Sequence, residues 1–226
     1  MAVPATGKPA MTRKERAELT RGRLLAAAVD HFTNRPYDEV AVGEIAQAAG
    51  TAHGVVFHHF GSKRGLYLEA LREVARRLNE IHVVEEHEEP AVLIRHQLGK
   101  HLAFMTEHPG FALSLVHGGI GTDPETREIF EETRSFANER LCATLGLDGT
   151  TPSLRLTLRA AAGGIDEVTL QWVESGCAFP AERVVDALLL LLASALEGAA
   201  RLDPGLDVTE AAGVLVTAAA GAGGGH

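Results

Sequence analysis

VGEIAQAAGTAHGVVFHHFGSK, residues 42–63, decides the fold. Val42, Ile45, Ala46 and Ala49 recur at helical intervals, Gly50 interrupts them, and a second short apolar pattern runs through Val55, Val56 and Phe60. The spacing predicts two short helices around a tight turn. Ala46 is small enough for a close helix crossing, Gly50 can take the positive φ that ends a helix, and Val56 and Phe60 can plug the angle between the two. His53, Val55, Phe57, His58 and His59 are then left largely on the outside of the second helix. A short helix held across another, with polar and aromatic side chains outward, has the geometry that enters a DNA major groove.

The charge distribution agrees with that geometry. The chain of 226 residues carries a net charge of −9, which taken whole argues against a nucleic-acid partner. Residues 1–80, however, hold 12 Lys and Arg against 9 Asp and Glu, whereas residues 81–226 hold 9 against 21. A cationic end on an acidic body suits DNA contact, since phosphates supply most of the attraction.

Outward from the central stretch, residues 1–11 read as a disordered arm. Thr12 and Glu15 have capping-box spacing and start a helix near Arg13 that runs to about Asn34, burying Leu24, Leu25, Ala28 and Phe32. Arg13, Lys14, Arg16, Arg21 and Arg23 near its start are candidates to follow phosphates, or a solvated face. Arg35-Pro36-Tyr37 breaks the helix. Ser62 caps the next one, Lys63 to about Ile81, whose apolar positions are Leu66, Leu68, Leu71, Val74 and Leu78. The acidic run at residues 85–89 reads as a solvated connection, with a His/Glu metal site the sharper alternative.

Beyond Pro90 the signals are helical only, with starts at Pro90, Pro109, Asp123-Pro124, Thr151-Pro152 and Pro180. Leu154, Leu158, Ala161, Ile165, Val168 and Trp172 form one long stripe, and Gly163-Gly164 permits a close crossing. The helix from Ala181 to about Arg201 carries two stripes, Val184, Leu188, Leu191 and Ala195 beside Val185, Leu189, Leu192 and Leu196. A helix apolar on two faces needs two partners. The second is expected to be the same surface of another copy, giving a homodimer through helices 152–176 and 181–201. Asp207 and Glu210 have capping-box spacing for an extra helix, residues 211–220, before a disordered glycine-rich tail.

The central stretch resembles the tetracycline-repressor (TetR) family of transcriptional regulators. The family pattern is met by Val42, Ile45-Ala46, Ala49-Gly50, Gly54, Phe60, Ser62-Lys63 and Leu66, within about 65 residues, the length of such a module. Departures are Val40-Ala41 where Thr and a capping hydroxyl are common, Thr51-Ala52 in place of Val-Ser, and Phe57 in place of Tyr. The resemblance implies an all-α protein. An N-terminal three-helix helix-turn-helix DNA-binding domain, residues 12–62, leads through a connecting helix, residues 63–82, to an α-helical ligand-binding and dimerisation domain, residues 83–206. A short helix and tail complete the chain over residues 207–226.

Carried over position by position, Thr51, Ala52, His53, Val55, Phe57, His58, His59 and Lys63 form the DNA interface. His53, Val55 and His58 face base edges, Phe57 lies on the sugar-phosphate backbone, and His59 and Lys63 lie on phosphates. The partners expected are double-stranded DNA, a second copy of the chain and a small-molecule effector of unknown identity; repression is the commoner action in the family. The missing hydroxyls at Ala41, Ala52 and Phe57 leave open a dimeric ligand-binding protein with weakened DNA binding.

Large or polar residues on the apolar helices of the body, His101, Phe104, Met105, Phe111, His117, Phe130, Phe136, Gln171 and Trp172, are the candidates for a ligand pocket. Catalysis is not expected: there is no glycine-rich phosphate loop, Gly-x-Ser-x-Gly elbow or His-Glu-x-x-His motif, and the lone His117-Gly118-Gly119 is no substitute. Two cysteines, Cys142 and Cys177, lack metal-ligand spacing and read as buried small hydrophobes, with a redox pair the sharper alternative. No metal or cofactor is expected. With no secretory leader and no apolar run near the ~18 to 20 residues of a membrane span, the cytoplasm is the expected location.

Overall fold

The computed structural model describes residues 11–81, 89–111 and 123–221. Most of the expected disordered arm and tail, most of the acidic run at 85–89, and His117-Gly118-Gly119 lie outside these residues. The described residues contain helices and no strand. They divide into two compact units between Ala70 and Leu71. The division falls inside a helix whose Leu66, Leu68 and Ala70 are buried.

The first unit begins with α1 (Arg13–Asn34). Thr12 Oγ1 accepts the Glu15 N–H at 3.2 Å while the Glu15 carboxylate takes the Thr12 N–H at 2.7 Å, the reciprocal cap that the spacing predicts. Its core face is Leu24, Ala28, Val29 and Phe32, with Leu25 only half-buried. After a single 3₁₀ turn, Tyr37–Glu39, come α2 (Val42–Ala48), α3 (His53–Phe60) and α4 (Lys63–Ile81). Tyr37 is held between Phe32 and Tyr67, with ring centroids 6.0 and 4.9 Å away.

The turn between α2 and α3 closes as its sequence requires. Gly50 sits at φ 64°, its N–H reaches the Gln47 carbonyl at 3.0 Å, and the Thr51 N–H reaches the Ala46 carbonyl at 3.0 Å. This is the double bond of a left-handed helix cap, open to glycine at little cost. At the start of α4, Ser62 Oγ accepts the Gly65 N–H at 2.9 Å. Ser62→Ala is expected to destabilise the first unit by about 1 kcal/mol, read as a lowered urea midpoint at unchanged slope.

The second unit comprises the rest of α4 with α5 (Pro90–Glu107), α6 (Pro124–Thr144), α7 (Pro152–Glu174), α8 (Ala181–Leu202) and α9 (Thr209–Ala220). The proline-marked starts at 90, 124, 152 and 180 all stand at or beside helix N-termini. α8 is the centre and packs on α7, α9 and α5. Val185, Leu188, Leu189, Leu192 and Leu196 are buried among Leu98, Leu154, Leu158, Ala211 and Leu215.

Three expectations are corrected here. The second stripe of α8 is buried within the chain, in one core cluster with Ala211, Leu215 and Ala218 of α9, so its burial requires no second copy. What remains exposed is a third line, Ala187, Leu190 and Ser194, with Leu156 and Val168 of α7 also outward. Val168 therefore leaves the buried stripe of α7, while Asp166 and Thr169 enter it. α9 also starts two residues early: Asp207 Oδ1 accepts the Thr209 N–H at 2.9 Å and makes no reciprocal box with Glu210. Arg95 ties α5 to both neighbours, its Nη1 donating to Asp186 at 2.7 Å and to the Ala218 carbonyl at 2.8 Å. Gly164 makes the expected close crossing, since a Cβ there would come within 3.2 Å of Leu191.

Candidate nucleic-acid interface and effector cavity

α3 buries one side chain, Val56, and half-buries Val55, His59 and Phe60. Ala52, His53, Phe57 and His58 are exposed, and Thr51 is half-buried at the turn. The short helix thus rests on a narrow apolar seam and turns His53, Phe57 and His58 outward, whereas Val55 and His59, also expected on the outside, are half-buried. The His53 ring meets the edge of Phe57 at 5.0 Å, and His58 meets His59 at 5.3 Å, so the exposed imidazoles are ordered against neighbouring rings.

The flanking cations divide into two kinds. Lys63 Nζ sits 4.3 Å from the centre of the Tyr37 ring, which fixes the ammonium beside the end of α3. Arg21 is engaged with its own unit: it lies 5.1 Å over the Phe60 ring and pairs with Glu69 at 2.7 Å. Arg21 thereby leaves the group of candidate phosphate contacts, whereas Arg13, Lys14, Arg16 and Arg23 stay exposed on α1. Neither Ala41 nor Ala52 supplies a side-chain cap. At Ala41 a weak substitute exists, since Glu44 reaches back to its N–H at 3.4 Å while pairing with Arg35.

In the second unit a cavity of about 90 Å³ lies among α4, α5, α6, α7 and α8. Leu78, Ile94, Leu98, Leu141, Ile165 and Leu192 make its apolar wall; Gln97, His101, Thr133, Arg134, Asn138 and Asp166 make its polar one. The polar wall is built around an ion pair: Arg134 Nε donates to Asp166 Oδ2 at 2.6 Å, both side chains less than a tenth exposed. Glu131 lies 3.6 Å from Arg134 and accepts from Arg159 Nε at 2.7 Å. Burial pushes the Asp166 carboxyl up to about 6, against the opposing pull of Arg134.

Of the described sequence candidates for the pocket, only His101 lines this cavity. Met105, Phe111 and Phe130 are fully buried packing, Phe111 lying 5.6 Å from Phe130 and 6.2 Å from Phe104. Phe136 is half-buried outside the lining, and Trp172 is a buried side chain whose indole N–H donates to the Phe179 carbonyl at 2.9 Å. Gln171 is exposed and reaches Glu174. His117 lies outside the described residues. Large side chains fill space, so they mark the core; the cavity forms where Ala137 and Ala162 leave room. The missed signals were polar residues in apolar helices, above all Asp166 between Ala162 and Leu170. Cys142 and Cys177 are free thiols, and burial pushes the Cys142 thiol up, which opposes thiolate reactivity.

Among the described residues no group of three or more His, Cys, Asp or Glu side chains is placed to hold a metal, and no helix is long and apolar enough to cross a membrane.

Comparison with known proteins identifies the first unit. Residues 24–70 match the family described as "Bacterial regulatory proteins, tetR family". The HTH-type transcriptional repressor AcnR of Corynebacterium glutamicum is 35% identical over 81 residues, 36% of this chain and 39% of that protein. The HTH-type transcriptional activator FasR of Mycolicibacterium smegmatis is 42% identical over 69 residues, 30% of this chain and 31% of that protein. These matches span well under half the length of either relative. A tetR-family transcriptional regulator from Streptomyces coelicolor superposes with a TM-score of 0.73 at 25% identity, over 93% of this chain and 90% of that one. Its likeness extends through the second unit. With an outward-facing α3 on a helix-turn-helix frame, the first unit carries the helix-turn-helix module of the TetR family of bacterial regulatory proteins, and the chain as a whole shares its fold with a tetR-family regulator.

Proposed function

We propose that the protein is a ligand-responsive transcriptional repressor that binds a pseudo-palindromic operator as a homodimer and releases it when a small molecule enters the second unit. The observation that carries this reading is α3, whose exposed His53, Phe57 and His58 stand beside the ring-held ammonium of Lys63. His53 or His58 can donate to or accept from a purine edge, and Val55 can press on a thymine methyl. His59, Lys63 and the uncapped first turn of α3 at Thr51-Ala52 are set to phosphates, and Phe57 to the sugar-phosphate backbone. Two reading helices in a dimer require half-sites separated by one or more helical turns of about 34 Å. Leu156, Leu190 and the small residues beside Leu190 on α8 supply the face for the second copy.

An effector loosens DNA binding only through differential affinity for a conformation with misplaced reading helices. The cavity around Arg134 and Asp166 is where that preference would be exerted. A second reading, weakened DNA binding on a dimeric ligand-binding body, rests on the absent side-chain caps at Ala41 and Ala52.

Gel shifts separate these. Lys63→Ala is expected to weaken binding to all duplexes alike and to lower the salt slope by about 1, while His58→Ala changes sequence preference at one position by about 1–3 kcal/mol. Equal losses on specific and random DNA for both variants would refute the division of labour. No salt-dependent preference of the wild type for DNA upstream of its own gene would favour the second reading. Reporter transcription from that promoter fixes the sign of regulation, for which the activator FasR is the contrary precedent.

A further inference from the structure

The cavity wall carries the Arg134–Asp166 ion pair and, on its α5 side, a buried amide donor without an acceptor. Arg134 and Arg159 face Asp166 and Glu131, so two cations meet two carboxylates. Gln97, on the α5 side of the same cavity, has its Nε2 buried with no hydrogen-bond partner. A buried N–H without an acceptor is costly, and the deficit is relieved by any guest that brings an oxygen acceptor to it. A guest that brought a net charge would instead upset a balanced, desolvated ion-pair network.

Size restricts the guest further. At roughly 10–15 Å³ for each water-sized group, a cavity of about 90 Å³ holds six to nine non-hydrogen atoms. Ile94, Leu98, Leu141, Ile165 and Leu192 line most of it and match a hydrocarbon body.

We propose that this cavity binds a compact, neutral, largely apolar molecule carrying a carbonyl-type oxygen, which accepts the Gln97 Nε2–H, and that it rejects the corresponding carboxylate and ammonium. The proposal rests on the reading of the second unit as the effector-sensing one. It deepens that reading by assigning the effector's chemical class: ketones, lactones, esters or amides of small ring or branched-chain size, in place of fatty or amino acids.

Four probes of matched shape test it on the full chain at pH 7.5 by titration calorimetry. They are cyclohexanone, its acceptor-free isostere methylenecyclohexane, cyclohexanecarboxylate and cyclohexylammonium. Cyclohexanone is expected to bind saturably and about tenfold more tightly than methylenecyclohexane, the value of one hydrogen bond. The two ions are expected to bind at least a further tenfold more weakly than the hydrocarbon. In Gln97→Leu, which removes the orphan donor at similar volume, the ketone should lose its advantage. A carboxylate or ammonium that binds as well as the ketone, a ketone advantage that survives Gln97→Leu, or no ketone binding in the wild type would each overturn the proposal. A gel shift with saturating cyclohexanone is read separately. Selective binding that leaves DNA binding unchanged would refute the effector reading and leave the assignment of the cavity standing.

Discussion

Arg134→Met should cost the second unit about 3–5 kcal/mol at neutral pH, because it strands the Asp166 carboxylate in the interior with no cation at hydrogen-bond distance. The double variant Arg134→Met with Asp166→Leu should recover most of that loss, since a buried ion pair and its apolar replacement are often near equal in stability. Urea melts of the two variants measure both numbers. If the double variant is as damaged as the single, the loss belongs to packing and not to charge.

The same pair sets a pH dependence. Asp166 is raised in the folded chain to about 6 from its usual 3.8. A raised carboxyl keeps its proton in the folded state where the unfolded chain has lost it, so stability falls as pH rises between about 4 and 6 and levels off above. Removing Arg134 takes away the attraction that opposes burial and drives Asp166 higher still. The deficit of Arg134→Met should therefore shrink on moving from pH 7.5 to pH 5; a deficit that grows on acidification would contradict this assignment.

Gly65→Ala is expected to act on the other unit and on DNA. A Cβ at this position would overlap the carbonyl oxygen of Phe60, the last residue of α3, and backbone cannot swing aside as a side chain does. Either α3 or the first turn of α4 must shift, at a cost of about 3 kcal/mol to the first unit. Since α3 is the reading helix, operator affinity should drop at least a hundredfold while the unfolding of the second unit stays unchanged. Wild-type operator binding by Gly65→Ala would mean that the turn between α3 and α4 adapts freely and that α3 is not held in one pose.

Where the sequence could be read and where it could not follows from the range of the signals. The caps at Thr12 and Ser62, the left-handed turn at Gly50 and the proline starts are local, and each involves residues within a few positions of one another. The outward face of α3 was legible for the same reason. The cavity was not, because Gln97, Arg134 and Asp166 lie on three helices far apart in the chain and no periodicity links them. The apolar faces of α8 announced that two partners were needed but could not say whose. The extra helix α9, read as an appendage, is one of them.

That role of α9 bears on how the protein is made. Val185, Leu189 and Leu196 are synthesised before Ala211, Leu215 and Ala218, with which they share one core. At about 5–20 residues per second, the 18 positions between the ends of α8 and α9 represent roughly one to four seconds of synthesis. Until α9 docks, α8 displays a leucine-rich surface open to chaperones, and the Arg95 clasp on Ala218 closes only with α9 in place.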